Sequence, residues 1–358
     1  MPFLWVHIER AERIIMKHIL MQTPNSTDTV SLYRHWGPMF PLKRKGLVQL
    51  QAMSDDRKHI SHWHYYKNND FAFMCRSAEL TDLAFAEQCR KHGRPIWMDI
   101  DDNLFEVPDT SDGFQYYSQG KAKDNLRHIL KQAKVVTVAT PELQKYLKNN
   151  EKLDTILIPN ALDDDLLMYK QNFNFNNKVV WRGSGSGKEA VDYYAPAILE
   201  LAEKYKKLDF AFFGFNPYMI TRRNKNKNVL WAKAENFEDY IAGLAQYNGS
   251  FNFMTHINSI FEKTKSTNGW LEVTLTGGVC LVADIGDWSN LPDNCVFKYK
   301  CMDLQSFIDN FNKMIETPHG QLKQMHLNSM NLIENEYLLS IINKKRIKII
   351  EEINGNET

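Results

Sequence analysis

Short apolar segments of strand length recur along the chain, and segments of helical pattern separate them. In the first half the strand-like segments are 18–23, 47–53, 70–75, 95–100, 134–139 and 154–158. Helical patterns lie between them at 81–92, 120–133 and 141–149. Strands that are buried on both faces of a parallel sheet are apolar throughout, whereas half-exposed strands alternate. The pattern therefore predicts an α/β fold with a parallel sheet covered by helices on both faces.

The rhythm stops at residues 166–177, which are polar and rich in Asn, and restarts at 178–181. The later segments predict strands at 208–213, 228–232, 250–254, 279–284 and 295–298 and helices at 188–206, 236–247, 264–276, 303–316 and 321–353. A chain of 358 residues suits two domains of ordinary size. We therefore predict two doubly wound Rossmann-like domains that face each other across a cleft.

The domain limits that follow are residues 1–165 and 178–320, joined by the linker 166–177. Residues 321–358 then form a C-terminal helix that packs back on the first domain. Residues 1–15 precede a second Met, Met16, and are either a dispensable extension or an ordinary short helix. In sheets of this kind, ligands bind at the carboxyl ends of the strands.

Composition excludes several classes of protein. The formal net charge is +1, and neither half of the chain is strongly basic or acidic, which argues against a strongly basic nucleic-acid domain. Five Cys with no CxxC pair indicate reduced thiols and a cytoplasmic protein. No apolar run has the length of a membrane span, and the N-terminus does not resemble a signal peptide.

The segment 181–188 (WRGSGSGK) follows a predicted strand and opens a predicted helix. Its glycines would let backbone N–H groups approach a phosphate, and a helix N-terminus adds positive potential. Arg182 and Lys188 add two full charges. The pattern is neither GxxxxGK[ST] nor GxGxxG. Phosphate binding is the interpretation that we favour over an ordinary strand–helix turn.

A second segment, 261–279, combines charge, a helix and a strand start. Lys265 and Ser266 lie near the predicted helix start, where an anion is favoured. Glu272 follows within the helix, and Gly277 stands where the helix ends before a buried strand. A carboxylate at this place can bind both hydroxyls of a ribose, although a solvated helix-face Glu is the alternative.

Two further segments belong to the first half: 99–105 (DIDDNLF) and 158–163 (IPNALD). Together with the pair Arg182 and Lys188 and the segment 265–279, they resemble motifs of GT-B glycosyltransferases, in particular the retaining family 4 type. The similarity covers roughly residues 95–300. It departs from the family at three places. Thr264 stands where the first of two glutamates is usual, with Glu262 out of register; Ala161 replaces a Gly; and the usual Gly-rich loop after the first strand is missing.

The resemblance implies transfer of a sugar from a nucleotide-diphosphate sugar to an acceptor hydroxyl, with retention and without a metal or other cofactor. Negative charge on the leaving diphosphate would be stabilised by Arg182, by Lys188 or Lys265, and by backbone N–H groups of 184–187. Asp102 at a strand end would face the acceptor or the transferred sugar, as could Asp101; alternatively, either residue caps a turn. Donor binding would involve Gly183, Ser184, Gly185, Ser266, Glu272 and Gly277.

The predicted partners are a nucleotide-diphosphate-sugar donor and a hydroxyl acceptor, which could be a glycan, a lipid-linked glycan or a modified DNA base. A metal-dependent alternative remains open, because Asp99 and Asp101 form a DxD pair such as binds a metal–diphosphate in GT-A enzymes. Glycosylation of a hydroxymethyl-pyrimidine in DNA, aided by the basic loop 222–227, and a non-catalytic nucleotide-sugar-binding protein are further alternatives. The basic, isoleucine-rich C-terminal helix could also contact a membrane peripherally.

Overall fold

The computed structural model describes residues 16–23, 28–53, 60–111, 113–119, 121–183, 185–233, 237–247 and 251–353. The predicted extension 1–15 lies outside these residues. Within them the chain forms two parallel sheets of six strands each. The prediction of an α/β chain with two doubly wound domains is confirmed.

The first sheet has the strand order β2-β1-β3-β4-β5-β6, and its neighbouring strands pair in parallel. Its strands are β1 (Lys17–Met21), β2 (Val48–Ala52), β3 (Phe71–Cys75), β4 (Ile96–Ile100), β5 (Val135–Val138) and β6 (Ile156–Leu157). The helices around it are α1 (Thr29–Arg34), α2 (Trp36–Arg44), α3 (Trp63–Lys67), α4 (Leu80–Lys91), α5 (Phe114–Gln119), α6 (Ala122–Gln132) and α7 (Pro141–Tyr146). Every residue of β4 is buried, as expected for a central strand covered on both faces.

The second sheet has the order β12-β11-β10-β7-β8-β9 and is also parallel. Its strands are β7 (Lys178–Gly183), β8 (Asp209–Gly214), β9 (Val229–Ala232), β10 (Phe251–Phe253), β11 (Val279–Asp284) and β12 (Phe297–Lys300). Its helices are α8 (Lys188–Lys204), α9 (Tyr218–Arg223), α10 (Phe237–Tyr247), α11 (Ile260–Lys263), α12 (Asn268–Leu275), α13 (Leu304–Glu316) and α14 (His319–Leu332). The chain leaves β7 toward β8 on one side and returns to β10 on the other, which makes a topological switch point.

Several helices begin where a short polar side chain accepts a hydrogen bond from the backbone N–H three residues later. These capping residues are Asp28 of α1, Thr140 of α7, Ser259 of α11 and Asp303 of α13. Such a side chain satisfies one of the N–H groups that a helix leaves unpaired at its start. The cap at Asp28 sets the start of α1, a helix that the sequence analysis did not predict.

The C-terminal region differs from the single helix predicted over 321–353. Helix α14 ends at Leu332, a π-helical turn follows at Ile333–Tyr337, and α15 spans Leu339–Glu352. The break lies where Leu162 and Leu338 form an isolated bridge, with Leu162 donating to the Tyr337 carbonyl at 2.8 Å. This pairing places the start of α15 beside the segment after β6, where the chain first passes from one domain to the other.

Helix α15 packs on the first domain. Apolar side chains of the helix share a buried cluster with those of β1, β3 and β4, and Asn343 donates to the Pro38 carbonyl at 2.9 Å. The isoleucine-rich face of α15 therefore packs against the first sheet. The domain limits given above stay a prediction. No helix in the described ranges combines the length and apolar character that a membrane crossing requires.

A buried ion pair anchors α1 to the first sheet. Arg34 donates to both carboxylate oxygens of Asp99 at 2.7 Å, and both side chains are almost fully buried. Arg34 also donates to the Ile158 carbonyl at 2.6 Å and to the amide oxygen of Asn160 at 3.0 Å. The fork geometry of guanidinium suits this bidentate contact. The network joins α1, β4 and the chain segment after β6.

We expect Asp99→Asn to lower the free energy of unfolding by about 3 kcal/mol, because it leaves a buried guanidinium without its counter-charge. Urea denaturation followed by circular dichroism measures this. The matched control is Asp165→Asn, in an exposed pair with Arg44 whose side chains are 60% and 69% exposed; its effect should stay below about 1 kcal/mol. Equal effects of the two substitutions would contradict the anchoring role.

Candidate functional site

A cavity of about 800 Å³ lies between the two domains. The second domain contributes residues at the carboxyl ends of β7 and β10, the two strands that flank its switch point, and the first domain contributes the opposite wall. Crevices at such switch points are the usual ligand sites of doubly wound sheets. The cavity is therefore the candidate functional site.

Arg182 and Glu272 form the centre of the wall on the second domain. Arg182 lies near the end of β7, and its Nη2 forms an ion pair with Glu272 of α12. The side chain of Glu272 is 0% exposed, whereas that of Arg182 keeps 19%, so the guanidinium is the part of the pair that a ligand reaches more readily. Although burial alone would lower it, the carboxylate of Glu272 raises the pKa of Arg182 above its ordinary value, and the guanidinium stays charged.

Two tyrosines complete the environment of Glu272. Tyr240 of α10 donates to Oε2 of Glu272 at 2.7 Å and accepts from Nε of Arg182 at 2.5 Å. Tyr33 of α1 donates to Oε1 of Glu272 at 2.9 Å, across the interface between the domains. Burial, together with the charge of Glu272, raises the pKa of both tyrosines, so they remain protonated donors. Glu272 is thus held by residues from three other elements and from both domains.

A second charged group of the same wall contains Glu262, Lys265 and His256. Glu262 accepts from Lys265 at 2.7 Å, and its other oxygen lies 2.6 Å from Nδ1 of His256. Burial alone would raise the pKa of Glu262, but Lys265 and His256 lower it to about 2. Glu262 is therefore an anion at neutral pH and holds the other two side chains at the cavity, which both of them line.

The wall on the first domain carries Arg76, Asp101 and Asp102. Arg76 follows β3, has the positive φ of 49° that is unusual for a residue with a Cβ, and forms ion pairs with both aspartates. Burial raises the pKa of Asp102, whereas Arg76 outweighs burial and lowers the pKa of Asp101. On the opposite wall, the charge of Lys265 lowers the pKa of Asp102 and the charge of Glu262 raises it. Asp102 and the second charged group thus line opposite walls of the cavity.

The structure brings most of the predicted site residues together and leaves others apart. Those that line the cavity are Arg182, Gly183, Gly185, Lys265, Ser266, Glu272 and Asp102. Ser266 also accepts a hydrogen bond from Asn160 of the first domain at 2.9 Å. Ser184 lies outside the described residues. Two predicted residues, Lys188 and Gly277, are not part of the lining.

Lys188 points to its own helix instead. Its Nζ lies 2.6 Å from Asp192, one turn later in α8, and its side chain is 57% exposed. Gly277 ends α12 with a φ of 86° and donates to the Thr274 carbonyl at 3.1 Å, which is a helix-terminating role. Among the lysines that the structure describes, Lys265 is thus the one that lines the cavity.

Asp99 of the DxD pair does not line the cavity either, and Arg34 donates to both of its carboxylate oxygens. Among the described residues no cluster of three His, Cys, Asp or Glu side chains suits a metal ion. The basic residues Arg222 and Arg223, which motivated the DNA alternative, lie in α9 and do not line the cavity.

Sequence reasoning missed Tyr33, Arg76, Tyr240 and His256. Tyr33 lies in an unpredicted helix whose signal was the capping residue Asp28. Arg76 and His256 both follow predicted buried strands within three residues, and such positions at the carboxyl edge of a parallel sheet are the signal that could have found them. Tyr240 lies in a correctly predicted helix but has no distinguishing local pattern.

Gly183 and Gly214, the last residues of β7 and β8, allow close packing at these two strand ends. A Cβ on Gly183 would lie 2.6 Å from the ring of Trp181, and one on Gly214, whose φ is 101°, would lie 2.4 Å from the Gly183 carbonyl oxygen. Trp181 in turn donates to Thr255 at 3.0 Å, which ties the end of β7 to the end of β10. The two strand ends at the cavity are therefore packed without room for a side chain at Gly183.

We expect Gly183→Ala to displace the Trp181 ring and to lower the free energy of unfolding by about 1–3 kcal/mol, the usual cost of overpacking. Thermal denaturation and the Trp fluorescence spectrum measure the two effects. The control is Gly320→Ala in α14, where an added Cβ meets nothing within 4 Å and Ala should be neutral or stabilising. An unchanged Gly183→Ala protein would show that the ring contact is unimportant.

No family model and no curated protein sequence matches the chain. Solved structures do match it over nearly the whole length of both chains. HepE of Anabaena, in complex with UDP and glucose, has 13% identity and a TM-score of 0.67, covering 94% of this chain and 100% of that chain. Sucrose-phosphate synthase of Thermosynechococcus elongatus has 10% identity and a TM-score of 0.71, covering 94% and 98%.

A glycosyltransferase of Rickettsia africae gives a similar result, with 12% identity, a TM-score of 0.65, and coverage of 96% of this chain and 100% of that chain. At such identities the likeness establishes the fold alone. The chain therefore has the GT-B fold, two Rossmann-like domains that face each other across a cleft.

Proposed function

We propose that this protein is a glycosyltransferase that moves a sugar from a nucleoside-diphosphate sugar to an acceptor hydroxyl. The observation that carries the proposal is the Arg182–Glu272 pair at the switch point of the second sheet, on the wall of a cavity between two domains of the GT-B fold. A cation near the end of β7 and a buried carboxylate within α12 match a ligand that has both phosphates and ribose hydroxyls.

The chemical need is to stabilise negative charge on the leaving diphosphate. Two charged side chains at the cavity, Arg182 and Lys265, can supply that stabilisation from fixed positions. The short 3₁₀ turn Gly185–Gly187 leads directly into α8, so backbone N–H groups at the start of this helix are available to phosphate oxygens. On this basis we propose that the reaction needs no metal ion.

Glu272 is proposed to bind the ribose of the donor. An ionised carboxylate accepts about four hydrogen bonds. Arg182, Tyr240 and Tyr33 supply three donors to Glu272. A ribose hydroxyl can add to these or replace Tyr33, which comes from the opposite domain. Donor binding and the contact between the domains are then linked at one carboxylate.

The solved neighbours support this choice of donor. The structure of HepE was determined with UDP and glucose and also with UDP-glucose, and MnaA of S. aureus was determined with UDP. We therefore propose a uridine diphosphate sugar as the first donor to test. Retention of the anomeric configuration is proposed on the resemblance to the family 4 type.

The acceptor is proposed to bind on the first domain, beside Arg76, Asp101 and Asp102. Asp102, whose pKa is raised by burial, lies on the wall opposite Lys265 and can accept a hydrogen bond from a hydroxyl when ionised. Because the five cysteines are free thiols, we further propose a cytoplasmic location.

A donor panel tests the function. UDP-, GDP- and ADP-sugars are supplied with and without simple glycosides as acceptors, and the released nucleoside diphosphate is measured. We expect one nucleotide class to be turned over, with hydrolysis of the same donor when no acceptor is present. NMR of the product would show the anomeric configuration, and added EDTA should leave the rate unchanged. Binding of a donor without any turnover would contradict an enzymatic function.

Substitution of the cations tests the site. We expect Arg182→Ala to lower kcat/KM by about 1,000-fold or more, since it removes charge stabilisation and leaves Glu272 buried without its counter-ion. Lys265→Ala should cost about 100-fold, and more than Lys188→Ala, because Lys188 is paired with Asp192 outside the cavity lining. Steady-state kinetics with the donor from the panel measures this order. A larger loss for Lys188→Ala would favour Lys188, the alternative to Lys265 that the sequence leaves open.

A further inference from the structure

Two buried side chains at the cavity each have a polar atom without a hydrogen-bond partner. His256 is 7% exposed and Trp288 is 3% exposed, and both line the cavity. Within the described residues, Nε2 of His256 and Nε1 of Trp288 have no partner. Buried polar atoms are nearly always satisfied, and those that are not call for a ligand or another specific explanation.

The chemistry of the two atoms is complementary. Glu262 is an anion, since its pKa is lowered to about 2, and it lies 2.6 Å from Nδ1 of His256. Because an anionic carboxylate can only accept, Nδ1 of His256 is the donor in this contact, and Nε2 of the tautomer protonated on Nδ1 is an acceptor. The indole Nε1 of Trp288 is a donor only. The two ring centroids are 4.9 Å apart. An acceptor and a donor on two neighbouring rings suit a group that both donates and accepts, such as a hydroxyl.

The place of the two rings in the fold indicates which hydroxyl this is. His256 follows β10, which pairs with β7 at Val180 and Asn252, and the Trp181–Thr255 hydrogen bond ties these strand ends together. Arg182, at the end of β7, marks the proposed diphosphate position on the same domain. A group bound at His256 therefore lies on the same wall of the cavity as the proposed diphosphate position, next to an aromatic ring.

We propose that His256 and Trp288 form the subsite for the hydroxyls of the transferred sugar. In this subsite Nε2 of His256 accepts a sugar hydroxyl, Nε1 of Trp288 donates to one, and Glu262 is a positioning residue that sets the tautomer of His256. The inference rests on the proposed function and deepens it, because it assigns recognition of the sugar to residues other than those that bind the nucleotide.

The test separates sugar recognition from nucleotide binding. Isothermal titration calorimetry is carried out with UDP and UDP-glucose, and with GDP and GDP-mannose, on the wild-type chain and on His256→Phe. Phe keeps a ring beside Trp288 but has no Nε2. We expect the affinity for the nucleotide sugar to fall by roughly 10- to 100-fold, with the affinity for the bare nucleotide unchanged. Trp288→Phe should have the same selective effect.

His35→Phe is the matched control. His35 is also a buried histidine whose Nε2 has no partner in the described part of the chain, but it packs on Phe73 in the first domain and does not line the cavity. This variant should bind UDP and UDP-glucose, or the GDP pair, as the wild type does. Circular dichroism and melting temperature confirm that each variant is folded.

Glu262→Gln tests the positioning role. We expect it to reduce the extra affinity that the sugar gives over the bare nucleotide, and to have no further effect on this difference in the His256→Phe background. A residue with only a structural role would lower both affinities together and would add its effect in the double variant. A loss confined to the bare nucleotide would mean that Glu262 acts through Lys265 instead.

The two proposals fail in different ways. A wild-type chain that binds none of the four ligands contradicts the proposed function and the subsite with it. A wild-type chain that binds and turns over a nucleotide sugar, together with a His256→Phe variant that keeps full sugar-dependent affinity, contradicts the subsite alone.

Discussion

The buried carboxylate of Glu272 is the constraint on which the arrangement of this protein most depends. A charge with no solvent exposure is stable only if donors surround it, and Glu272 obtains them from β7, α10 and α1. The first two partners belong to its own domain, and Tyr33 belongs to the other. The same group therefore orders the end of β7, where the proposed diphosphate contact lies, and joins the two domains at the cleft.

The position of Tyr33 depends in turn on its neighbour Arg34. The Arg34–Asp99 pair fixes α1 to the first sheet and brings the segment after β6 close through Ile158 and Asn160. Asn160 then reaches Ser266 of the second domain. Asp99 is thus a structural residue. Of the three aspartates in the acidic segment that resembled a metal-binding DxD, Asp101 and Asp102 line the cavity and Asp99 does not.

The elements of the fold were largely predictable, because strands buried on both faces have runs of apolar residues that local inspection can recognise. The predicted strands at 95–100 and 279–284 coincide with β4 and β11 within one residue. Helices α1 and α2 were missed, since their positions depend on the anchoring of Arg34 and not on an apolar period. The long C-terminal helix was predicted without the break at Ile333–Tyr337, because its apolar pattern continues through a turn that is set by the pairing of Leu162 with Leu338.

Local periodicity and motifs near strand and helix ends were enough to predict the α/β class and the two domains, and they marked Arg182, Lys265 and Glu272 as candidate site residues. Packing between distant segments was needed to show that Lys265 lines the cavity and Lys188 does not, that Glu272 pairs with Arg182 and Tyr33, and that His256 and Trp288 are neighbours. The reason is physical: a side chain's direction and its partners from distant segments depend on packing between elements. Lys188 is six residues from Arg182 but turns to Asp192, whereas Tyr33, 239 residues from Glu272, is in contact with it.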